Sequence, residues 1–266
     1  MTSANSLGDA VLLLLKYLQS SHSPEEKRCL EVAGGASAFL SVTGQLYRFE
    51  DFRAGMMPSR ARSMAFADVI RCLERKEAQA SSAGEKETLR VAIDALAFIE
   101  ASGQQEELND YLAYWRSSTL PPVIAVFKTR EEADTWLESQ SDPPYMARVL
   151  ISDEYYTVLA TRESRDLPFV PMPVVAEFIE LHSRNGPPPV VASFSTHEHA
   201  EAWFASMPAP PRHTFLKIQG EHYVAAYWKN LNHRALYPFT LVEELVRENQ
   251  ERMQRLGLDD PTRSPR

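Results

Sequence analysis

The 266-residue chain sets 28 Lys and Arg against 36 Asp and Glu, for a formal net charge of -8 and a pI near 5.5. An acidic surface repels phosphate backbones, which disfavours general nucleic-acid binding. The balance of 44% hydrophobic and 24% charged residues is that of a globular protein rather than a disordered one. The apolar run from Val11 to Leu15 is far short of the roughly twenty residues of a membrane span and has no basic n-region, so the expected location is cytoplasmic, with no membrane partner.

The first 115 or so residues read as helices. Ser6 can cap a helix whose apolar stripe is Leu7, Val11, Leu14, Leu15 and Leu18. Ser23-Pro24-Glu25 opens a second helix carrying Leu30, Val32 and Ala33, because proline is favoured in a first turn. Gly34-Gly35 is expected to bend or end it, with a further helix from Ala36 to Phe52. Gly55, Pro58 and Ser59 mark a loop. Two longer helices follow, Ala65 to Ala80 (Phe66, Val69, Ile70, Leu73) and Ser82 to Ala101 (Leu89, Ala92, Ile93, Leu96, Ile99). A short one then holds Leu108, Tyr111, Leu112 and Trp115. Cys29 and Cys72 fit no metal or CxxC spacing and read as two buried or half-buried thiols in a reducing compartment.

Arg116 to Pro122 has linker composition, and strand-like patterns begin after it. Val123 to Phe127 is a short apolar strand. Thr129 and Glu132 form a capping box for a helix whose inner face is Ala133, Trp136 and Leu137. Pro143-Pro144 ends that region. Ala147 to Ile151 and Tyr155 to Ala160 are strands around a Ser152-Asp153 turn, and a helix from about Pro173 to His182 stops near Asn185-Gly186.

A shift of 67 residues brings this pattern onto itself. Phe127 falls on Phe194, Thr129 on Thr196, Trp136 on Trp203, Pro143-Pro144 on Pro210-Pro211, Ile151 on Ile218 and Tyr156 on Tyr223. Farther on, Pro168-Phe169 is matched to Pro238-Phe239 after a slip of about three residues, and Leu241 to Leu256 is the closing helix of the second copy. The fold class is α+β: an N-terminal helical bundle followed by two tandem β-α-β-β-α repeats forming a mixed sheet, of about six strands, with helices on one face. The expected divisions are a helical domain at 1–116, repeats at 117–186 and 187–256, and a flexible tail at 257–266.

No catalytic, cofactor or metal site is expected. His197-Glu198-His199 lies in a helix's first turn, where i, i+2 side chains diverge. The chain holds no GxSxG, HExxH or Walker-type loop. Paired carboxylates lie at turns or helix starts, where solvation or the helix dipole accounts for them. Aromatic pairs are the better lead, since alternation puts Tyr155 and Tyr156, and His222 and Tyr223, on opposite faces of their hairpins, leaving rings for core packing or for a partner.

The segments Val149 to Tyr156, Lys229 to Pro238 and Tyr47 to Phe52 resemble stretches of myxobacterial immunity proteins, which neutralise toxins exchanged between kin cells by contact. The resemblance implies a non-enzymatic cytoplasmic protein that binds and inhibits one cognate protein toxin. A nuclease toxin with a basic cleft would steer an acidic inhibitor to itself. The partner-binding residues expected on this reading are Glu131, Glu132, Asp134, Glu138, Asp153, Glu154, Tyr155, His222 and Trp228, with Asp142 adding to the acidic face of the first repeat. The alternative is a small-molecule or peptide sensor with its ligand at the seam of the two repeats.

Overall fold

The computed structural model describes residues 3–55, 65–117, 119–243 and 247. The chain divides after Pro171 into two compact units. In the first, helices α1 (Ser3–Ser20), α2 (Pro24–Val42), α3 (Leu46–Arg53), α4 (Ala67–Gln79), α5 (Ala83–Ala101) and α6 (Gln105–Arg116) form a bundle. Local chemistry sets their starts. The Ser23 hydroxyl accepts from the Glu26 N–H ahead of Pro24, and the Ser82 hydroxyl accepts from the Glu85 N–H. Helix α5 buries Leu89, Val91, Ala92, Ala95, Leu96, Phe98 and Ile99, which is more than one face, and so sits centrally.

Gly34-Gly35 does not interrupt α2. Both glycines are buried, and a Cβ on Gly35 would stand 2.3 Å from Leu112 Cδ2 of α6. Their role is close helix approach rather than a break. The helix ends instead at Thr43-Gly44, where Gly44 takes φ +68 and a Cβ would lie 2.4 Å from Pro144 Cβ. The expected helix from Ala36 to Phe52 is therefore the end of α2 plus a separate α3. Pro58 and Ser59 of the expected loop lie outside the described residues.

The bundle and the first repeat share one unit, and the Gly44–Pro144 approach is one of their contacts. Tyr145 packs against the helical core. The Arg162 N–H donates to the Tyr47 hydroxyl at 3.0 Å, and its guanidinium lies 4.3 Å from the Tyr47 ring centroid while pairing with Asp51 and Asp142. The linker is pinned as well: Leu120, Pro121 and Val123 are buried, and the Tyr155 hydroxyl donates to the Pro121 carbonyl at 2.7 Å.

Each repeat builds its own four-stranded mixed sheet, so the single six-stranded sheet becomes two. The first has β1 (Ala125–Phe127), β2 (Arg148–Ile151), β3 (Glu154–Val158) and β4 (Phe169–Pro171), with α7 (Arg130–Glu138) crossing between the parallel pair β1 and β2. The second has β5 (Ala192–Phe194), β6 (His213–Ile218), β7 (Glu221–Trp228) and β8 (His233–Pro238), with α9 (His197–Ser206) in the same role. The 67-residue shift maps β1 onto β5, the start of α7 onto that of α9, and each β-turn onto its counterpart.

The geometry repeats with the sequence. Thr129 and Thr196 both cap through their hydroxyls. Phe127–Trp136 and Phe194–Trp203 stack at 5.1 and 5.3 Å with interplanar angles of 48° and 50°. Ser152 N–H donates to the Phe127 carbonyl and Gln219 N–H to the Phe194 carbonyl, both at 2.9 Å. The fourth strand removes the expected slip: Tyr156 pairs with Pro171 and Tyr223 with Pro238, so Pro171, not Pro168, is the counterpart of Pro238. Thr161–Arg165 leads into the added strand β4, and Lys229–Arg234 runs through a short 3-10 turn into β8.

Helix α8 (Val174–Ser183) belongs to the second unit. Phe178 sits 5.0 Å from the His213 ring and 6.4 Å from Phe215, while Phe204 of α9 packs on Leu216 and Ala225. Residues 213 and 215 alternate with 216 along β6, so the two helices flank opposite faces of that sheet. The expected one-sided cover does not hold: β6 is apolar on both faces, and in the first sheet Leu150 and Tyr155, opposite Val149 and Ile151, are buried as well. Residues 241–243, one period after the start of α8, are helical, and the rest of the expected closing helix and the tail lie almost wholly outside the described residues.

Burial, and secondarily the nearby His182, holds the His213 imidazole below its ordinary pKa. His222 is lowered too, by burial and by Lys217. The unfolded chain then binds more protons than the folded one at mildly acidic pH, so stability is retained above about pH 6.5 and falls as pH drops through that value toward the depressed folded pKa. Urea melts at pH 7.5 and 5.0 should show a lower midpoint in acid, and His213→Gln should flatten that difference.

Candidate functional site

The acidic residues of the first repeat do not form one face. Four of them gather at one end of the module, and the backbone explains why. Ser152 in the β2–β3 turn donates from its hydroxyl to the Lys128 carbonyl at 2.8 Å and from its N–H to Phe127. This ties the turn to the residues that open α7. Glu131 and Glu132 of the first turn of α7 and Asp153-Glu154 of the hairpin are thereby brought to the same end of the sheet.

Within this acidic end the roles differ. Glu132 closes the capping box by accepting from the Lys128 N–H at 2.8 Å. Glu131 is exposed, and its own N–H and Thr129 hold its carboxyl below the usual carboxylate range. Glu154 is exposed and accepts from the Tyr156 hydroxyl at 3.1 Å. Ser152 and Asp153 take φ +51 and +64, a two-residue turn in the left-handed region that suits the twist of the hairpin.

The remaining carboxylates lie elsewhere or are spent. Asp134 pairs with Arg130 at 3.2 Å, and that guanidinium also lies 4.8 Å from the Phe169 ring. Asp142 is bound by Arg162 at 2.7 Å. Glu138 is exposed at the opposite end of α7.

Two of the aromatic candidates are corrected. Tyr155 is only 2% exposed, its ring inside the fold and its hydroxyl on Pro121. Trp228 is 4% exposed, tilted against His233 at 5.4 Å and edge-on to Tyr237 at 6.4 Å. Alternation assigns a ring to a face but does not say which face is covered, so neither is available at the surface. His222 is half-buried, 5.5 Å from the Phe239 ring.

The second repeat carries a different end. His197, Glu198 and His199 replace Arg130, Glu131 and Glu132, and Gln219-Gly220 replaces Ser152-Asp153. His197 pairs with Glu201 at 3.3 Å and His199 approaches Ser195 at 3.5 Å, so the two imidazoles point to separate partners. Among the described residues no group of three or more His, Cys, Asp or Glu is placed to hold a metal ion, and no helix is long and apolar enough to cross a membrane.

Sequence reasoning missed two assemblies because each joins residues far apart in the chain. One is the Phe178–His182–His213–Phe215 ring cluster of the second unit. The other is a cavity of about 280 Å³ between α2 and α4, in which Cys29 and Cys72 meet Glu26, Arg75 and Lys76. The chain matches no family model, no curated protein and no solved structure.

Proposed function

We propose that this chain is a non-enzymatic binding protein that inhibits a cognate basic protein toxin, acting as an immunity protein does. The observation that carries the reading is the acidic end of the first module. Glu131, Glu132, Asp153 and Glu154 are held together by the capping box and by the turn that Ser152 fastens to Lys128. The net charge of -8 extends the same field over the molecule. A basic surface, such as a nuclease cleft, is drawn to such an end before contact, which raises the association rate more than it slows dissociation. Among the residues expected at the interface, Glu131, Glu132, Asp153 and Glu154 form its centre, Glu138 lies at the far end of α7, Asp134 is engaged by Arg130, and His222 belongs to the second unit.

The test expresses each toxin-like reading frame adjacent to the gene with and without this chain. The expected result is rescue of growth and a stable complex by one of them. Reversing all four carboxylates to lysine should weaken that complex by about tenfold to a hundredfold, mainly through slower association, and flatten its salt dependence. Unchanged binding and protection in the reversed variant would remove the acidic end from the interface. A small ligand retained in the native mass spectrum, with no toxin bound, would favour the sensor instead.

A further inference from the structure

We propose that Cys29 and Cys72 are a facing pair of buried thiols that closes to a reversible disulfide between α2 and α4. The two side chains come from helices on either side of one solvent-connected cavity, and both help to line it. They are 8% and 4% exposed, so their reach is to each other and to whatever enters that cavity. Burial, followed by the neighbouring Cys72, pushes the Cys29 thiol up to about 11. The reduced pair is therefore a quiet dithiol at neutral pH, since the thiolate is the nucleophile. Arg75 and Lys76 line the same cavity together with Glu25 and Glu26, so its walls are polar and balanced in charge.

The oxidant is a small disulfide that can enter this cavity. One protein sulfur, as its thiolate, attacks a sulfur of the reagent, forms a mixed disulfide and releases one small thiol. The second protein thiol then loses its proton and displaces the remaining small thiol. Two protein thiols give up two electrons and two protons to become one S–S bond, and the reagent is recovered as two thiols. The cross-link closes the loop from residue 29 to residue 72 and adds a covalent tie to the contacts that Leu73 and Lys76 already make with the bundle.

The experiment incubates the full chain with oxidised glutathione, then alkylates under denaturing conditions and weighs the product. The expected product is 2 Da lighter than the reduced chain, carries no alkyl group on either cysteine and returns to the reduced mass with dithiothreitol. Its thermal midpoint should rise by several degrees. Cys29→Ser and Cys72→Ser should each give a glutathione adduct or no reaction, with no rise. Wild-type protein that accumulates two glutathione adducts, or that keeps two free thiols while its urea-unfolded form oxidises, would overturn the proposal. The wild-type outcomes decide the matter even where a serine variant fails to fold. They are independent of the toxin assay, because neither cysteine lies at the acidic end.

Discussion

Replacing Phe204 by alanine is expected to destabilise the second unit by about 3–5 kcal/mol. The ring is 1% exposed and closes a small core with Leu216 and Ala225, covered by Trp203, Tyr223, Tyr227 and Leu236. So few buried neighbours leave little to collapse into the void, which puts the cost toward the upper end of the range. Its counterpart in the first repeat is Leu137, which packs with Ala133, Val149, Ile151 and Val158. Phe204→Leu, which installs the residue the other copy uses, should therefore cost much less than the alanine change. Urea denaturation read by tryptophan fluorescence measures both. Equal losses for Phe204→Ala and Phe204→Leu would mean that the two repeats do not share a core plan.

Gly44→Ala is expected to cost the first unit about 2–5 kcal/mol, with two sources that can be separated. A left-handed backbone at φ +68 disfavours any Cβ by roughly 1–2 kcal/mol. A Cβ would also fall 2.6 Å from Pro144 Cα and 2.7 Å from its carbonyl oxygen, which are backbone atoms that cannot swing aside. Overpacking of that kind typically adds 1–3 kcal/mol. Gly55 is the control, because it has φ +74 with nothing within 4 Å, so Gly55→Ala should show the conformational cost alone. The difference in thermal midpoint between the two variants reads the contact of the bundle with the first repeat. No difference would mean that this contact is not under load.

The helices, the capping boxes and the duplication were legible because each is written in local pattern. Thr129 and Thr196 announce their helices within four residues, and the matched tryptophans fix the period. The fourth strands were not legible. β4 is three residues long and ends in Pro171, and β8 begins directly after a short 3-10 turn, so neither offers a clear alternation. Once register is known, the period needs no slip. Gly34-Gly35 misled for a related reason, since a glycine that breaks a helix and one that admits a neighbouring helix look alike until the neighbour, Leu112, is in place.

The candidate site divides the same way. Sequence placed the acidic residues in the right module but treated them as a single face. The tie from Ser152 to Lys128, and the ion pairs that engage Asp134 and Asp142, depend on tertiary placement. Tyr155 and Trp228 were misjudged because tyrosine and tryptophan favour buried cores and partner surfaces alike. The meeting of Cys29 with Cys72 had no sequence signal, because the pair joins two helices separated by a third and by the segment 56–64.

The shared backbone of the two modules has a consequence for how such a protein changes. Position 155 is a sealed tyrosine in one copy, and its counterpart 222 is a half-buried histidine in the other; positions 130–132 read Arg-Glu-Glu where 197–199 read His-Glu-His. The Phe–Trp stack, the threonine cap and the turn bond stay constant beneath these differences. Variation has run over the rim and through some interior positions, such as 155/222 and 137/204, while the capping, the Phe–Trp contact and the turn bond stood still. A gene that carries the frame twice can revise what one copy shows to the outside and leave the other intact, so a new specificity need not be won at the expense of folding.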